Sequence, residues 1–206
     1  MYIPKHFAVD PQQSRALLAD LAAGDLITAT DDGLTATFLP LHFDAERGPH
    51  GSLLGHVART NDQWRSIPAG EALVIGHGPN AYVSPSWYAT KAEHGRVVPT
   101  WNYVTVHVHG ELRVHDDVAW VGDLVRRLTD RHERGRVHPW AVADAPAEYI
   151  EGQLRAIVGV EVVISRVEVK AKVSQNRPAA DIDGVIAGLE ADGADDMAAW
   201  VARLRP

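Results

Sequence analysis

The sequence predicts a mainly β fold with α-helices, in which a small β-barrel carries peripheral helices and ends in a helical tail. Two observations support this prediction. Seven or eight short runs rich in β-branched and aromatic residues follow one another, and many are separated by turn residues. Helical periodicity is confined to segments at the edges of these runs, which favours antiparallel strands over an alternating α/β sheet. We therefore expect one domain over residues 1–206, of which about 181–206 form the tail.

Turn and capping residues set the limits of the predicted elements. The predicted strands cover residues 26–30, 34–43, 51–58, 71–77, 81–85, 98–110, 110–115 and 159–174. The loop Asp31-Asp32-Gly33 suits a hairpin between the first two strands, and the glycines of 76–81 suit a further turn. The predicted helices begin at Asp10-Pro11 (ending near Gly24), at Asp116 and at Pro146, with one or two helical turns over 61–67 and two tail helices over about 181–190 and 195–204.

The chain is acidic and contains no cysteine. Its 27 acidic and 20 basic residues give a net charge of −7, which disfavours direct binding to nucleic acid. The densest basic group is interpreted as a solvated helix face: Arg126, Arg127, Arg131, Arg134 and Arg136. The lack of cysteine excludes disulfides, thiolate-bound zinc, iron–sulfur clusters and thiol nucleophiles. With no apolar run long enough to span a membrane and no secretory leader, we expect a cytoplasmic protein.

One predicted strand, over residues 98–110, has two different faces. Three valines share the apolar face: Val104, Val106 and Val108. Aromatic and imidazole side chains share the other face: Trp101, Tyr103, Thr105, His107 and His109. Two histidines at this spacing can chelate a metal ion, with Glu111 as a third ligand if the strand continues. Because Gly110 is expected to end the strand and the face is largely aromatic, we favour a covered surface over a metal site.

Two other segments concentrate hydrogen-bond donors at a predicted strand end. The segment 55–64, "GHVARTNDQW", places an arginine, a threonine and an asparagine before a short helix, which is typical of a phosphate site and also of a plain N-cap. The segment 172–178, "KVSQNRP", could hold an anion or the polar edge of a heterocycle, or form a self-bonded turn. The pattern "GHGPNA" at 76–81 lacks the following helix that dinucleotide binding requires.

Motifs in a fixed order over most of the chain resemble the PaiB family of FMN-binding negative transcriptional regulators. They run from about residue 1 to residue 189, and the most specific are "SPSWY", "VPTWNY" and "SQNRP"; the others include "MYIPKHF", "LPLHF", "GHVARTNDQW" and "DAPAEYI". The resemblance implies an FMN-binding split β-barrel with peripheral helices. It also implies a homodimer with a flavin site between the subunits.

The resemblance further implies roles for particular residues. Arg59, Thr60 and Asn61 would hold the flavin phosphate, the strand 34–43 would run beside the ring, and the turn 174–177 would reach the cofactor edge or the dimer seam. The full set of candidate cofactor residues is His56, Arg59, Thr60, Asn61, Trp101, Asn102, Lys172, Gln175, Asn176 and Arg177.

Three functions remain open from the sequence. The first is a homodimeric FMN-binding regulator, the second is a flavin reductase or other flavin-dependent oxidoreductase, and the third is a haem-binding or haem-degrading split barrel. Neither a catalytic residue nor a metal ligand is assigned. One departure from the family concerns Val169, which stands where members commonly have a glycine before Lys170-Ala171-Lys172. If the glycine allows a ligand to come close to the backbone, the Val169 side chain would hinder cofactor contact there.

Overall fold

The computed structural model describes residues 1–30, 33–66 and 70–206. The strands in these ranges are β1 (Ala23–Thr30), β2 (Gly33–Pro40), β3 (His42–Asp44), β4 (Ser52–Ala58), β5 (Ala72–Val83), β6 (Thr100–His115) and β7 (Ile157–Lys172). The α-helices are α1 (Pro11–Asp20), α2 (Thr90–His94), α3 (Val118–Glu133), α4 (Ala147–Arg155), α5 (Ala179–Ala191) and α6 (Asp195–Arg203). Within the same ranges, we find no helix with the length and apolar character needed to cross a bilayer.

The strands form one seven-stranded sheet in the order β2-β1-β5-β6-β7-β4-β3. β1 pairs antiparallel with β2 over its full length, from Ala23 opposite Pro40 to Thr30 opposite Gly33. β4 pairs antiparallel with both β3 and β7. The predicted hairpin and the mainly β, antiparallel fold class are therefore confirmed, while the loop residues Asp31 and Asp32 lie outside the described ranges.

The chain divides into two compact units. The first comprises Met1–Ser14, His77–Val106 and Glu168–Pro206, and the second comprises Arg15–Gly76 and His107–Val167. The prediction of a single domain over the whole chain stays a prediction, and the two units are described separately below.

In the first unit, β6 shows the two faces that the sequence predicts. Val104 and Val106 are buried, whereas the Trp101 side chain is half exposed at 50%. Thr105 departs from the pattern, because it is buried although its parity places it on the other face. The period of two therefore positions the apolar side chains of this strand correctly, as expected for a sheet with one buried face.

The C-terminal helices of the first unit are the predicted tail. α5 packs against α6 and against the short 3-10 helix around Trp87. Close packing at α5 requires glycine, because a Cβ at Gly184 would overlap the Trp87 carbonyl oxygen and a Cβ at Gly188 would overlap its indole ring. The carboxylate of Asp181, which is buried, accepts hydrogen bonds of 2.9 Å from the backbone N–H and the hydroxyl of Thr90. These contacts fix α5 against the segment that follows β5.

In the second unit, α3 covers part of the sheet. Leu124 and Leu128 on α3 are buried against Leu54 on β4, with Trp120 packed beside them. Leu124 and Leu128 lie four residues apart in the sequence, a spacing that predicts one apolar helix face. The helix N-cap is Asp117, whose carboxylate accepts a 2.7 Å hydrogen bond from the backbone N–H of Trp120.

Two predicted strand breaks are wrong. The segment 76–81 lies inside β5 instead of forming a turn, and Gly110 lies inside β6 instead of ending it. A Cβ at Gly78 would lie 2.9 Å from the Cβ of Val104, and a Cβ at Gly110 would overlap the carbonyl oxygen of Val163. Both glycines are therefore required by close backbone approach inside the sheet, a role that sequence alone does not separate from a turn.

The predicted bounds of three elements are also wrong. α1 ends at Asp20, and Gly24 belongs to β1, so this glycine does not end the helix. The cap of α3 is Asp117 and not Asp116, which is paired with an arginine described below. The predicted strand 34–43 is divided at one residue into β2 and β3.

Candidate functional site

The segment after β4 carries three of the candidate cofactor residues, and a fourth, His56, lies within β4. β4 ends at Ala58, and Asn61 caps the 3-10 turn Asp62–Trp64 by accepting a 2.9 Å hydrogen bond from the backbone N–H of Gln63. The Asn61 amide also donates to the Thr37 hydroxyl at 2.9 Å. Both polar ends of Asn61 are therefore used within the protein, as the N-cap interpretation predicts.

Gln63 anchors this segment to the β1–β2 hairpin and was not among the predicted site residues. Its amide donates to the carbonyl oxygens of Leu26 and Thr35 and to the Thr28 hydroxyl, and its oxygen accepts from Thr37 at 2.5 Å. The side chain is only 4% exposed. A polar residue two positions after an Asn cap gives no sequence signal of burial, because its partners come from strands more than 25 residues away along the chain.

Arg59 is held by an ion pair. Its guanidinium forms two hydrogen bonds with the Asp116 carboxylate, at 2.5 and 3.0 Å, and Nε donates to the Arg155 carbonyl at 2.7 Å. The hydrogen bonds that Arg59 donates to Asp116 raise the pKa of Arg59 and lower the pKa of Asp116. Thr60 beside it is exposed. The positive charge of Arg59, which the resemblance assigns to the flavin phosphate, is therefore paired with Asp116 in this structure.

His56 lies at a groove between β4 and α3. The groove has a volume of about 320 Å³, and its lining is largely apolar: Pro40, His56, Val125, Leu128, Thr129, His132 and Glu133. The Nδ1 atom of His56 is buried and has no hydrogen-bond partner among the described residues. Burial lowers the pKa of His56, so the imidazole is neutral at pH 7. An unpartnered buried nitrogen beside a groove is an available contact for a polar ligand atom.

Trp101 and Asn102 follow the start of β6, in the first unit. The indole N–H of Trp101 donates to Asn80 at 3.1 Å, and its ring meets that of Tyr82 edge to face at 6.2 Å. Asn102 is fully buried and its amide donates to the Ser174 hydroxyl at 3.0 Å. Asn102 therefore positions the 174–177 turn, whereas Trp101 presents an exposed aromatic surface.

The 174–177 turn is largely self-bonded. Gln175 accepts from the backbone N–H of Val173 at 2.8 Å and donates to the Ala171 carbonyl at 2.6 Å. Ser174 has a φ of 67°, a left-handed conformation that is uncommon outside glycine. Asn176 is exposed, so its amide is accessible to a ligand.

Three cations lie in or next to this turn. The guanidinium of Arg177 lies 4.5 Å from the centre of the Tyr88 ring. Lys172 donates to the Thr100 hydroxyl at 2.7 Å, and Lys170 lies 5.3 Å from the centre of the Tyr103 ring. The turn thus carries positive charge next to aromatic rings, an arrangement that suits an anionic or π-rich ligand.

The pair His107 and His109 shares one face of β6, and both side chains are half buried. Glu111, the third ligand suggested by the spacing, is exposed and pairs with Arg113 at 2.9 Å. The hydrogen bond from Arg113 lowers the pKa of Glu111. The carboxylate of Glu111 is therefore held by an arginine on its own strand.

Comparison with known proteins decides the family. Residues 1–166 match the family model described as "Putative FMN-binding domain". The chain belongs to this FMN-binding family. It is 33% identical over 192 residues to the protease synthase and sporulation protein PAI 2 of Bacillus subtilis, covering 92% of this chain and 89% of that protein. It is also 32% identical over 215 residues to an uncharacterized protein of Emericella nidulans, covering 87% and 86% of the two chains. The predicted family and the FMN-binding assignment are confirmed.

Solved structures confirm the split-barrel fold class. The FAD and haem binding protein from Mycobacterium smegmatis superposes with a TM-score of 0.58 at 18% identity, over 89% of this chain and 80% of that one. The flavocytochrome Anf3 from Azotobacter vinelandii gives a TM-score of 0.56 at 15% identity, over 82% and 72%. At these identities the likeness concerns the fold.

The donor set of the second unit fits FMN. A flavin mononucleotide presents a phosphate and a planar ring whose edge carries both hydrogen-bond donors and acceptors. The segment at the end of β4 offers the exposed Thr60 hydroxyl and the Arg59 guanidinium, and the groove beside it offers the unpartnered Nδ1 of His56. These groups would hold FMN, which supplies reversible one- and two-electron chemistry when bound.

Proposed function

We propose that this protein binds FMN through the segment from His56 to Asn61 and acts as a homodimeric regulator. The buried, unpartnered Nδ1 of His56 is the observation that supports this location most directly. A buried nitrogen without a partner costs about 1–3 kcal/mol, which a hydrogen bond from a ligand recovers. His56 lies on the strand that leads into Arg59 and Thr60, and we propose that one ligand contacts all three.

The homodimer is supported by an apolar surface on the edge strand β2. Leu34 is 80% exposed and Phe38 is 68% exposed, and Ala36 lies exposed between them on the same face. β2 is the first strand in the sheet order, so among the described residues one of its backbone edges has no hydrogen-bonded partner strand. Exposed apolar edge strands favour association, and a second copy of the chain would cover this one.

Direct DNA contact is not part of the proposal. On α3, Arg126 and Arg127 form ion pairs with Asp123, and Arg127 also pairs with Asp44. Arg136 pairs with Glu133 at 3.1 Å. These pairs and the net charge of −7 leave little positive potential for phosphate neutralisation. The Bacillus relative is named for protease synthesis and sporulation, and we propose a regulatory role exerted through the flavin or a partner protein.

FMN titration with matched histidine variants tests the location of the site. His56→Leu is expected to weaken FMN binding by about tenfold, since the hydrogen bond to Nδ1 is lost. His138→Leu is the control, because this exposed histidine does not line the groove. Equal affinities for both variants and the parent would place FMN elsewhere. Bleaching of bound flavin by NAD(P)H would instead favour an oxidoreductase, and a Soret band after haem addition would favour haem binding.

Light scattering after size exclusion tests the homodimer. Phe38→Glu is expected to shift the protein to a monomer, because a charge replaces an apolar side chain in the covered surface. Tyr149→Glu is the control, since Tyr149 is 59% exposed on α4 and takes the same charge. A monomeric parent protein, or a dimer that survives Phe38→Glu, would contradict the proposed interface.

A further inference from the structure

A second cleft lies between α3 and β3 in the same unit. It has a volume of about 410 Å³, within the range of small-ligand sites. Its lining comprises Ala19, Asp20, His42, Phe43, Arg127, Asp130, Arg131 and Arg134. Neither the FMN assignment nor the proposed dimer uses these residues.

Arg131 is the fixed cation of this cleft. One guanidinium nitrogen donates to the carbonyl oxygens of Leu21 and Leu41, at 3.0 and 3.2 Å. These two bonds orient the planar group, and the side chain is half buried. Carbonyl partners do not neutralise the charge, so the remaining N–H groups can bind an oxyanion with little loss of side-chain entropy.

Arg127 and Arg134 differ in how their charge is balanced. Arg127 pairs with Asp44 at 2.9 Å and with Asp123 at 2.7 Å, so it adds little net potential. Arg134 is exposed at the cleft, one helical turn beyond Arg131. The cleft therefore presents one oriented guanidinium on α3 and one adjustable guanidinium at the residue that follows the helix.

His42 supplies a neutral ring beside these cations. Its Nδ1 is buried without a hydrogen-bond partner among the described residues. Burial, followed by the positive charge of Arg127, lowers its pKa. An unpaired acceptor is tolerated better than an unpaired N–H, so the favoured tautomer carries its proton on Nε2 and can donate it to a ligand.

Two carboxylates restrict the charge that the cleft can accept. Asp20 and Asp130 are exposed and line it together with the arginines. Their negative charges repel a dianion more strongly than a monoanion, so this lining favours a ligand with a single negative charge. Ala19 and Phe43 provide an apolar wall for the body of such a ligand.

We propose that this cleft binds a small monocarboxylate with an apolar body, at a site separate from FMN. The carboxylate would contact Arg131 and Arg134 and accept a hydrogen bond from His42. Bidentate binding of a carboxylate is the geometry that a guanidinium provides best.

Saturation-transfer NMR with benzoate as the probe tests the proposal on the FMN-loaded protein. We expect saturable binding that Arg134→Gln weakens by about fivefold, since one charge-assisted hydrogen bond is lost. Arg126→Gln is the matched control, because Arg126 is exposed on α3, pairs with Asp123 and does not line the cleft. Both substitutions are at exposed positions, so folding is expected to be retained.

Inorganic phosphate distinguishes a carboxylate site from a general anion site. Phosphate is expected to compete poorly with benzoate on the parent protein and better on Asp130→Asn, from which one repelling charge has been removed. The proposal is overturned if benzoate does not saturate, if Arg126→Gln and Arg134→Gln weaken it equally, or if phosphate competes equally on both proteins. It is also overturned if FMN displaces benzoate from the FMN-free protein, since the cleft would then belong to the cofactor site.

Discussion

Replacing Gln63 with Leu is expected to destabilise the protein by about 2–4 kcal/mol. The amide accepts one hydrogen bond and shares its two N–H groups among three acceptors: Leu26 O, Thr28 Oγ1 and Thr35 O. The substitution therefore removes about three hydrogen bonds at about 1 kcal/mol each, and it leaves buried carbonyl and hydroxyl groups without partners. Burial of the leucine side chain offsets part of this loss.

Urea unfolding followed by tryptophan fluorescence measures the change in the free energy of unfolding. Gln153→Leu is the matched control, because Gln153 is exposed on α4 and its change is expected to stay within about 0.5 kcal/mol. FMN affinity should also fall in the Gln63 variant, since the same hydrogen bonds hold the segment with Arg59 and Thr60 in place. A loss below about 0.5 kcal/mol for Gln63→Leu would refute the role of this side chain as an anchor.

Three further predictions follow from glycine packing, burial and charge. Gly188→Ala should destabilise the protein by about 1–3 kcal/mol, because the added methyl group meets a tryptophan ring. Gly152→Ala on α4 places its methyl group in open space and should stabilise the protein by about 0.5–1 kcal/mol. Equal effects of the two substitutions in chemical unfolding would contradict this reasoning. Burial holds the pKa of His56 below the usual 6.5, so on acidification the unfolded chain takes up a proton at this residue before the folded protein does. The contribution of His56 to stability should therefore be complete above pH 6.5 and fall below it. A melting temperature that declines equally with pH in His56→Gln would rule out this histidine as a cause. Asp116→Asn leaves the charge of Arg59 unneutralised and should tighten FMN binding by about threefold at low salt; weaker binding would mean instead that the carboxylate orients the arginine.

The sequence was most informative about which side chains are buried in regular elements, where burial repeats about every two residues in a strand or every three to four in a helix. The alternation along β6 identified Val104 and Val106 as buried, and the helical spacing of α3 identified Leu124 and Leu128. It failed at Gly78 and Gly110, because a glycine permits a turn and a close sheet contact equally well. The neighbour that distinguishes these roles lies on another strand.

The candidate site shows the same division. The donor-rich segments after β4 and β7 were visible in the sequence, and Asn61 caps a helical turn as its residue type predicts. Three contacts were not visible: the pairing of Arg59 with Asp116, the burial of Asn102 against Ser174, and the anchoring role of Gln63. Each joins residues that are more than 25 positions apart along the chain.

By itself, the sequence determined the mainly β class, the order of most elements and the FMN-binding family, because these depend on local periodicity, turn chemistry and motifs. Only the tertiary structure decided which polar groups are already bonded and which are available to a ligand. His42 and His56 are ordinary histidines in the sequence, and folding gives each a buried nitrogen without a partner. The physical reason is that burial and hydrogen bonding depend on neighbours in space, which a linear pattern of residues does not specify.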